Sequence, residues 1–136
     1  MKISIYAIGK MKKDSPEMAI INEYVKRMSW TIEIKEFDAP PQYPKGAKIV
    51  ALDERGDNIS SIKFAQKIDN FILNGCSHIV FLIGGAEGHS QEVRDNADML
   101  LSFGKMTLPH MLMRAVLMEQ IYRAQTIINN HPYHRE

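Results

Sequence analysis

Residues 78–83 read His-Ile-Val-Phe-Leu-Ile and run directly into Gly84 and Gly85. A stretch with so little polar character on either alternation belongs inside a sheet with both faces covered, which is the habit of parallel strands. Helices are the usual cover, and the flanking sequence supplies them. Ser60 or Ser61 caps a helix that puts Phe64, Ile68, Phe71 and Ile72 on one face, and Gly75 is placed to end it in a left-handed turn. After the glycine turn at residues 84–88, Ser90 caps a short helix to about residue 97. Strand, helix, strand, helix in this order predicts an α/β fold with a mainly parallel sheet flanked by helices.

The rest of the chain extends the pattern. Ile3, Ile5 and Ala7 alternate with Ser4 and Tyr6, the period of a half-buried strand, and Gly9 closes the run. Asp14 or Ser15 caps a helix whose first turn holds Pro16, with Met18, Ile21, Val25 and Met28 at helical spacing to near Trp30. Ile32 and Ile34 alternate with Glu33 and Lys35 up to Phe37, as in a strand near an edge. Pro40, Pro41, Pro44 and Gly46 make residues 38–48 an irregular connection. A short dry strand at 49–52 and a turn at 53–56 follow, and later a brief strand around 102–107. The last helix, about 111–128, carries Met111, Ala115, Met118, Tyr122 and Gln125 along one stripe.

Composition narrows the function classes. A chain of 136 residues, 45% hydrophobic, has material for one domain, expected to span 1–136. With 17 Lys and Arg against 16 Asp and Glu, the net charge of +1 gives no general field for holding nucleic acid or anionic lipid, so such a partner must be met locally and by shape. The single cysteine, Cys76, excludes an intrachain disulfide framework and reads as a small core residue. The opening residues lack the charged lead and apolar core of a signal peptide, and no uncharged run reaches the ~18–20 residues of a membrane span. The expectation is a soluble cytoplasmic protein with no membrane partner.

Three segments carry candidate chemistry. In Leu82-Ile83-Gly84-Gly85-Ala86-Glu87-Gly88 the glycines allow a ligand to approach backbone at the end of a buried strand. The same glycines also fit a tight turn alone, and their spacing differs from the dinucleotide fingerprint. In Gly104-Lys105-Met106-Thr107-Leu108-Pro109 the backbone amides and carbonyls are suited to reading a purine edge, or the segment is simply a proline-ended connection. The ending Asn129-Asn130-His131-Pro132-Tyr133-His134-Arg135-Glu136 concentrates hydrogen-bonding, stacking and proton-transfer groups. A metal site at His131 and His134 lacks further ligands nearby, so no metal is expected. Arg114 and Arg123 lie on the last helix, and Glu119 with Arg123 reads either as a helix ion pair or as part of an anion site. His78 and His89 read as structural, and Trp30 and the methionines as packing.

Taken together and in order, these segments resemble the SPOUT-class RNA methyltransferases, specifically the family of 23S rRNA pseudouridine N3-methyltransferases known as RlmH. The resemblance rests on Gly9-Lys10, Leu52-Asp53-Glu54-Arg55-Gly56, the glycine loop, Met106-Thr107-Leu108-Pro109-His110, Tyr122-Arg123-Ala124 and the ending from Asn130. It covers nearly the whole chain. One departure is the short Pro-rich connection before Leu52, where members usually carry a longer, helical, Lys/Glu-rich insertion. The resemblance implies an α/β domain of five or six strands, with a C-terminal trefoil knot. It also implies S-adenosylmethionine bound by Leu52, Gly84, Gly85, Gly104, Lys105, Met106, Thr107, Leu108 and Pro109. Tyr133, His134, Arg135 and Arg123 then line the acceptor side, the protein is a homodimer, and the acceptor is a pseudouridine N3 of 23S rRNA in the assembled ribosome. Two other classes share the raw features: a nonenzymatic RNA- or ribosome-binding module using the tail alone, and a nucleotide-binding oxidoreductase using the glycine loop.

Overall fold

The computed structural model describes residues 1–135, and Glu136, the last residue of the expected acceptor tail, lies outside the described residues. The elements run β1 (Lys2–Ile8), α1 (Pro16–Arg27), β2 (Thr31–Phe37), β3 (Lys48–Asp57), α2 (Ser61–Leu73), β4 (His78–Ile83), α3 (Gln91–Asn96), β5 (Met99–Leu101) and α4 (His110–Ile128). The chain divides into two compact units, one of Met1–Lys10, Trp30–Asn58 and Cys76–Thr107, the other of Met11–Ser29, Ile59–Gly75 and Leu108–Glu136.

The first unit is a five-stranded sheet in the order β2-β1-β4-β3-β5, and every neighbouring pair is parallel. As the apolar run at 78–83 requires, β4 is central, with Ile79, Val80 and Phe81 at 0% exposure. The alternating strand β2 takes an edge, where its polar positions reach water. On one face Tyr6, Ile49, Ala51, Val80 and Leu82 form a cluster covered by Phe37, Tyr43 and Ala47, and by Val93 and Ala97 of the α3 segment. Tyr6 and Phe37 meet edge to face, with ring centroids 5.1 Å apart. The proline-rich connection therefore serves as a lid on this part of the core.

Several local expectations are corrected. β1 has no wet face: Ser4 is fully buried. Its hydroxyl donates to Glu33 Oε1 at 3.1 Å and accepts from His78 Nε2 at 2.8 Å, which satisfies a polar group that alternation had assigned to solvent. β3 continues through the expected turn to Asp57, with an irregularity between Leu52 and Asp57 where the pairing with β5 shifts. Gly56 is needed here for close approach and not for turn geometry, since a Cβ on it would fall 2.6 Å from the carbonyl carbon of Leu100. The final strand is Met99–Leu101 and not residues 102–107. Ser102 Oγ takes the amide of Gly104 at 3.1 Å, and Gly104 at φ +116 turns the chain out of the sheet. Cys76 is only half-buried, its thiol donating to the carbonyl of His78 at 3.2 Å.

The second unit is built on α4, against which both α1 and α2 pack. Packing against two helices buries more than a stripe: Leu117, Met118 and Ile121 are fully buried, and Ala115, Ala124 and Thr126 nearly so. α1 ends at Arg27, short of Trp30. Ser15 and Ser60 cap α1 and α2 through side-chain bonds to Met18 N and Lys63 N, as Ser90 caps α3 in the first unit. Ser61 Oγ donates to Gln120 Oε1 at 2.7 Å, and Gln125 Oε1 accepts the amide of Ser29 at 2.9 Å, fastening both partners to α4.

Candidate active site

In the first unit Leu52, Gly84 and Gly85 lie where the pairing of β3 with β4 ends, and Gly104 to Thr107 follow β5. Leu52 of β3 is in register with Ile83 of β4 and with Leu101 of β5, so the segments after these residues start level with one another. This is the edge at which parallel α/β sheets hold ligands. Gly84 and Gly85 begin a closed turn in which Gly88 N donates to Gly85 O at 2.9 Å. A Cβ on Gly84 would lie 3.0 Å from the Gly88 backbone, and one on Gly85 would lie 3.3 Å from Ile8 Cγ2. Glycine at these two positions thus lets the turn at the end of β4 close tightly on itself and on Ile8. Gly104, Lys105, Met106 and Thr107 follow β5, and Met106 is 87% exposed. Leu108 and Pro109 continue into α4, where the Pro109 carbonyl accepts the first helical bond from Met113 N at 2.9 Å.

Two residues next to this edge had no functional reading in the sequence. Asp53, directly after Leu52, accepts Arg94 Nε at 2.7 Å and the amide of Arg55 at 2.8 Å. Burial pushes its carboxyl up, but these donors outweigh burial and hold it below the ordinary carboxylate range. His89 Nε2 donates to the carbonyl of Leu82 at 3.3 Å, and burial holds this imidazole in its neutral form. The Asp53 contact depends on a segment 41 positions away that no local motif announces, whereas His89 reaches back only to Leu82 in the strand before its own turn.

In the second unit the tail folds back on α4. Asn129 ends the helix, and Asn130 adopts the left-handed conformation at φ 57. Asn130 N then bonds Ile127 O at 3.2 Å and His131 N bonds Thr126 O at 2.8 Å, the paired bonds of a Schellman stop. The reversal brings Tyr133 and His134 to the α4 face bearing Glu119, Tyr122 and Arg123. The Tyr133 hydroxyl donates to Glu119 Oε1 at 3.0 Å and meets the Tyr24 hydroxyl of α1 at 3.2 Å. Its ring packs edge to face on Tyr122 at 4.9 Å and lies under the Arg123 guanidinium, also at 4.9 Å. Arg123 donates to Glu119 Oε1 at 2.6 Å and to His134 Nδ1 at 3.0 Å.

The electrostatics follow from these contacts. The Glu119 hydrogen bond raises the Arg123 pKa, so this guanidinium stays charged. Burial, with Tyr24 and Glu119 adding to it, raises the Tyr133 phenol well above its usual range. Tyr133 is therefore a hydrogen-bond donor at neutral pH. Because Arg123 can only donate, His134 Nδ1 accepts and the ring proton resides on Nε2, a buried atom with no hydrogen-bond partner among the described residues. Arg135 is exposed. The structure thus brings together Arg123, Tyr133 and His134, and adds Tyr24 and Glu119. The i,i+4 spacing of Glu119 and Arg123 was legible as an ion pair, but Tyr24 carried no signal.

The first unit is a parallel α/β sheet with a glycine turn after its central strand, an architecture whose strand-end edge is a place for a ligand. The family model described as "Predicted SPOUT methyltransferase" matches residues 38–134. Ribosomal RNA large subunit methyltransferase H of Paramagnetospirillum magneticum is 45% identical, with 99% of each chain covered. The protein of the same name from Zymomonas mobilis is 47% identical over 100% of this chain and 99% of its own. Among solved structures, a "probable methylase family protein" from Haemophilus influenzae Rd KW20 superposes with a TM-score of 0.63 at 12% identity, over 98% of this chain and 70% of that one, which is a likeness of fold. The chain belongs to the SPOUT methyltransferase family, with the ribosomal RNA large subunit methyltransferases H as relatives, and it is an enzyme, a methyltransferase. The oxidoreductase and the purely binding module are set aside by this membership.

Proposed function

We propose that this chain is an S-adenosylmethionine-dependent methyltransferase of large-subunit ribosomal RNA, that its acceptor is N3 of a pseudouridine in 23S rRNA on the assembled ribosome, and that it works as a cytoplasmic homodimer. The observation that carries the donor side is the level row of Leu52, Ile83 and Leu101, from which the glycine turns depart. Backbone amides and carbonyls of Gly84, Gly85 and residues 104–109 hold the donor without need of a charged side chain, which suits a ligand already bearing a positive sulfonium. When bound, the donor supplies a methyl group on a good leaving group. The protein then aligns acceptor with donor and removes the N3 proton. Alignment contributes roughly 7–11 kcal/mol where the geometry is good, and a positioned base about 3–5 kcal/mol more.

On the acceptor side Tyr133 is too weak an acid to serve as the base, and its hydroxyl is committed to Glu119. That leaves His134, which takes the N3 proton at Nδ1 as Arg123 turns from it toward the anionic base. Arg135, exposed at the tail, meets a neighbouring phosphate. The C-terminal trefoil knot belongs to the same reading.

The test pairs two measurements. Calorimetric titration should show saturable S-adenosylmethionine binding by the full chain and by a chain lacking residues 131–136. Only the full chain should transfer label to ribosomes, at N3 of a pseudouridine by mass mapping. With a net charge of +1 the grip on naked RNA is weak, so free transcript should react far more slowly than ribosomes. Turnover by the truncated chain, or equal rates on transcript and ribosome, contradicts the corresponding part of the proposal.

A further inference from the structure

We propose that Asp53 and Arg94 are a positioning pair that sets the glycine turn against β3 where its pairing with β4 ends, and so fixes the backbone that holds the methyl donor. This rests on the donor reading above. Leu52 and the start of the turn are neighbours through the β3–β4 register, but the turn itself leaves the sheet after Ile83 and needs its own fastening. Its internal bridge pairs Gly85 only with Gly88. The fastening comes from the helix that follows. Ser90 caps α3, whose Arg94 reaches back past the turn: one terminal guanidinium nitrogen lies 3.9 Å from the position a Cβ would take on Gly88.

Arg94 Nε then donates to Asp53 Oδ2 at 2.7 Å. Asp53 is the residue next to Leu52, and its side chain is only 3% exposed, against 16% for Arg94. An ion pair this dry has fixed geometry, unlike the exposed pair of Arg27 and Glu23. His89 makes the second tie through its bond to Leu82 O, on the sheet side of the same turn. The segment is thus held at both ends, by His89 to β4 and by Arg94 to β3. Neither Asp53 nor Arg94 needs to touch the donor to set where the Gly84 and Gly85 amides point.

The experiment measures S-adenosylmethionine affinity by calorimetry, and donor KM against kcat on ribosomes, for Asp53→Asn, Arg94→Gln and the double variant, well below their thermal midpoints. Each single change should weaken donor binding roughly tenfold, the double change should be no worse than the weaker single, and KM should rise more than kcat falls. Arg94→Lys, which keeps the charge and perturbs folding least, should recover part of the affinity. If the parent protein binds donor and the folded variants, Arg94→Lys included, bind it equally well, the pair is structural only and the proposal fails. If the parent protein shows no saturable donor binding, the donor reading itself fails and this inference with it.

Discussion

A single atom decides the fate of several positions in this chain. Gly56 stands in a Leu-Asp-Glu-Arg-Gly stretch whose pattern suggested a turn, yet its φ is unexceptional and what it lacks is room. A Cβ there would meet the Leu100 carbonyl carbon at 2.6 Å and Leu101 N at 2.7 Å, and both are backbone atoms of a buried strand. Gly56→Ala should therefore cost about 1–3 kcal/mol, read as a lowered urea midpoint at unchanged slope. An unchanged midpoint would mean that β5 can move aside. Ser4 illustrates the same limit of sequence reading. Its alternation assigns it to water, but Glu33 and His78 satisfy its hydroxyl inside.

At the level of elements, the helix stops and starts were largely legible, because capping is chemistry between near neighbours. Ser15, Ser60 and Ser90 each accept an amide three residues on, as their positions imply. The stop after α4 has a larger consequence, since it turns the tail back onto Glu119 and Arg123. Asn130 tolerates the left-handed conformation that this needs, and a β-branched residue does not. Asn130→Gly should fold and methylate as the parent does. Asn130→Val should lose about 1–2 kcal/mol and most methyl transfer, with donor affinity retained. A Val variant of full activity would show that the tail reaches its place without the reversal. The strand ends were less legible: the last strand was expected around 102–107, and only pairing with Val50 and Leu52 identifies Met99–Leu101.

For the molecule as a whole, each compact unit is drawn from three stretches of chain, so neither can be cut out as one continuous piece. The pH response is set by histidines in both units. Burial lowers the pKa of His78, His89 and His110 below the ordinary 6.5, with Lys2 adding at His78 and Arg114 at His110. The unfolded chain therefore binds more protons than the folded one below about pH 6.5, and stability falls as pH drops from there. Asp53 and Glu33, held below their normal range, add a second loss only in the carboxylate region near pH 4 and lower. Urea midpoints measured from pH 8 down to about pH 2 should show both declines. His89→Gln should shallow the first and leave the second, and a flat profile between pH 7 and 5 would contradict the buried-neutral assignment.

The sequence by itself determined the strand and helix alternation, the central place of residues 78–83, the glycine turn beyond it and the unusual density of functional groups in the tail. These are properties of period, composition and near-neighbour geometry, which a chain carries before it folds. Tertiary structure alone decided which strand ends stand level, that Asp53 meets Arg94 across 41 positions, and that Tyr24 meets Tyr133 across 109. Such contacts arise from strand register and helix packing, and these minimise the free energy of the whole chain without leaving a trace in any local window.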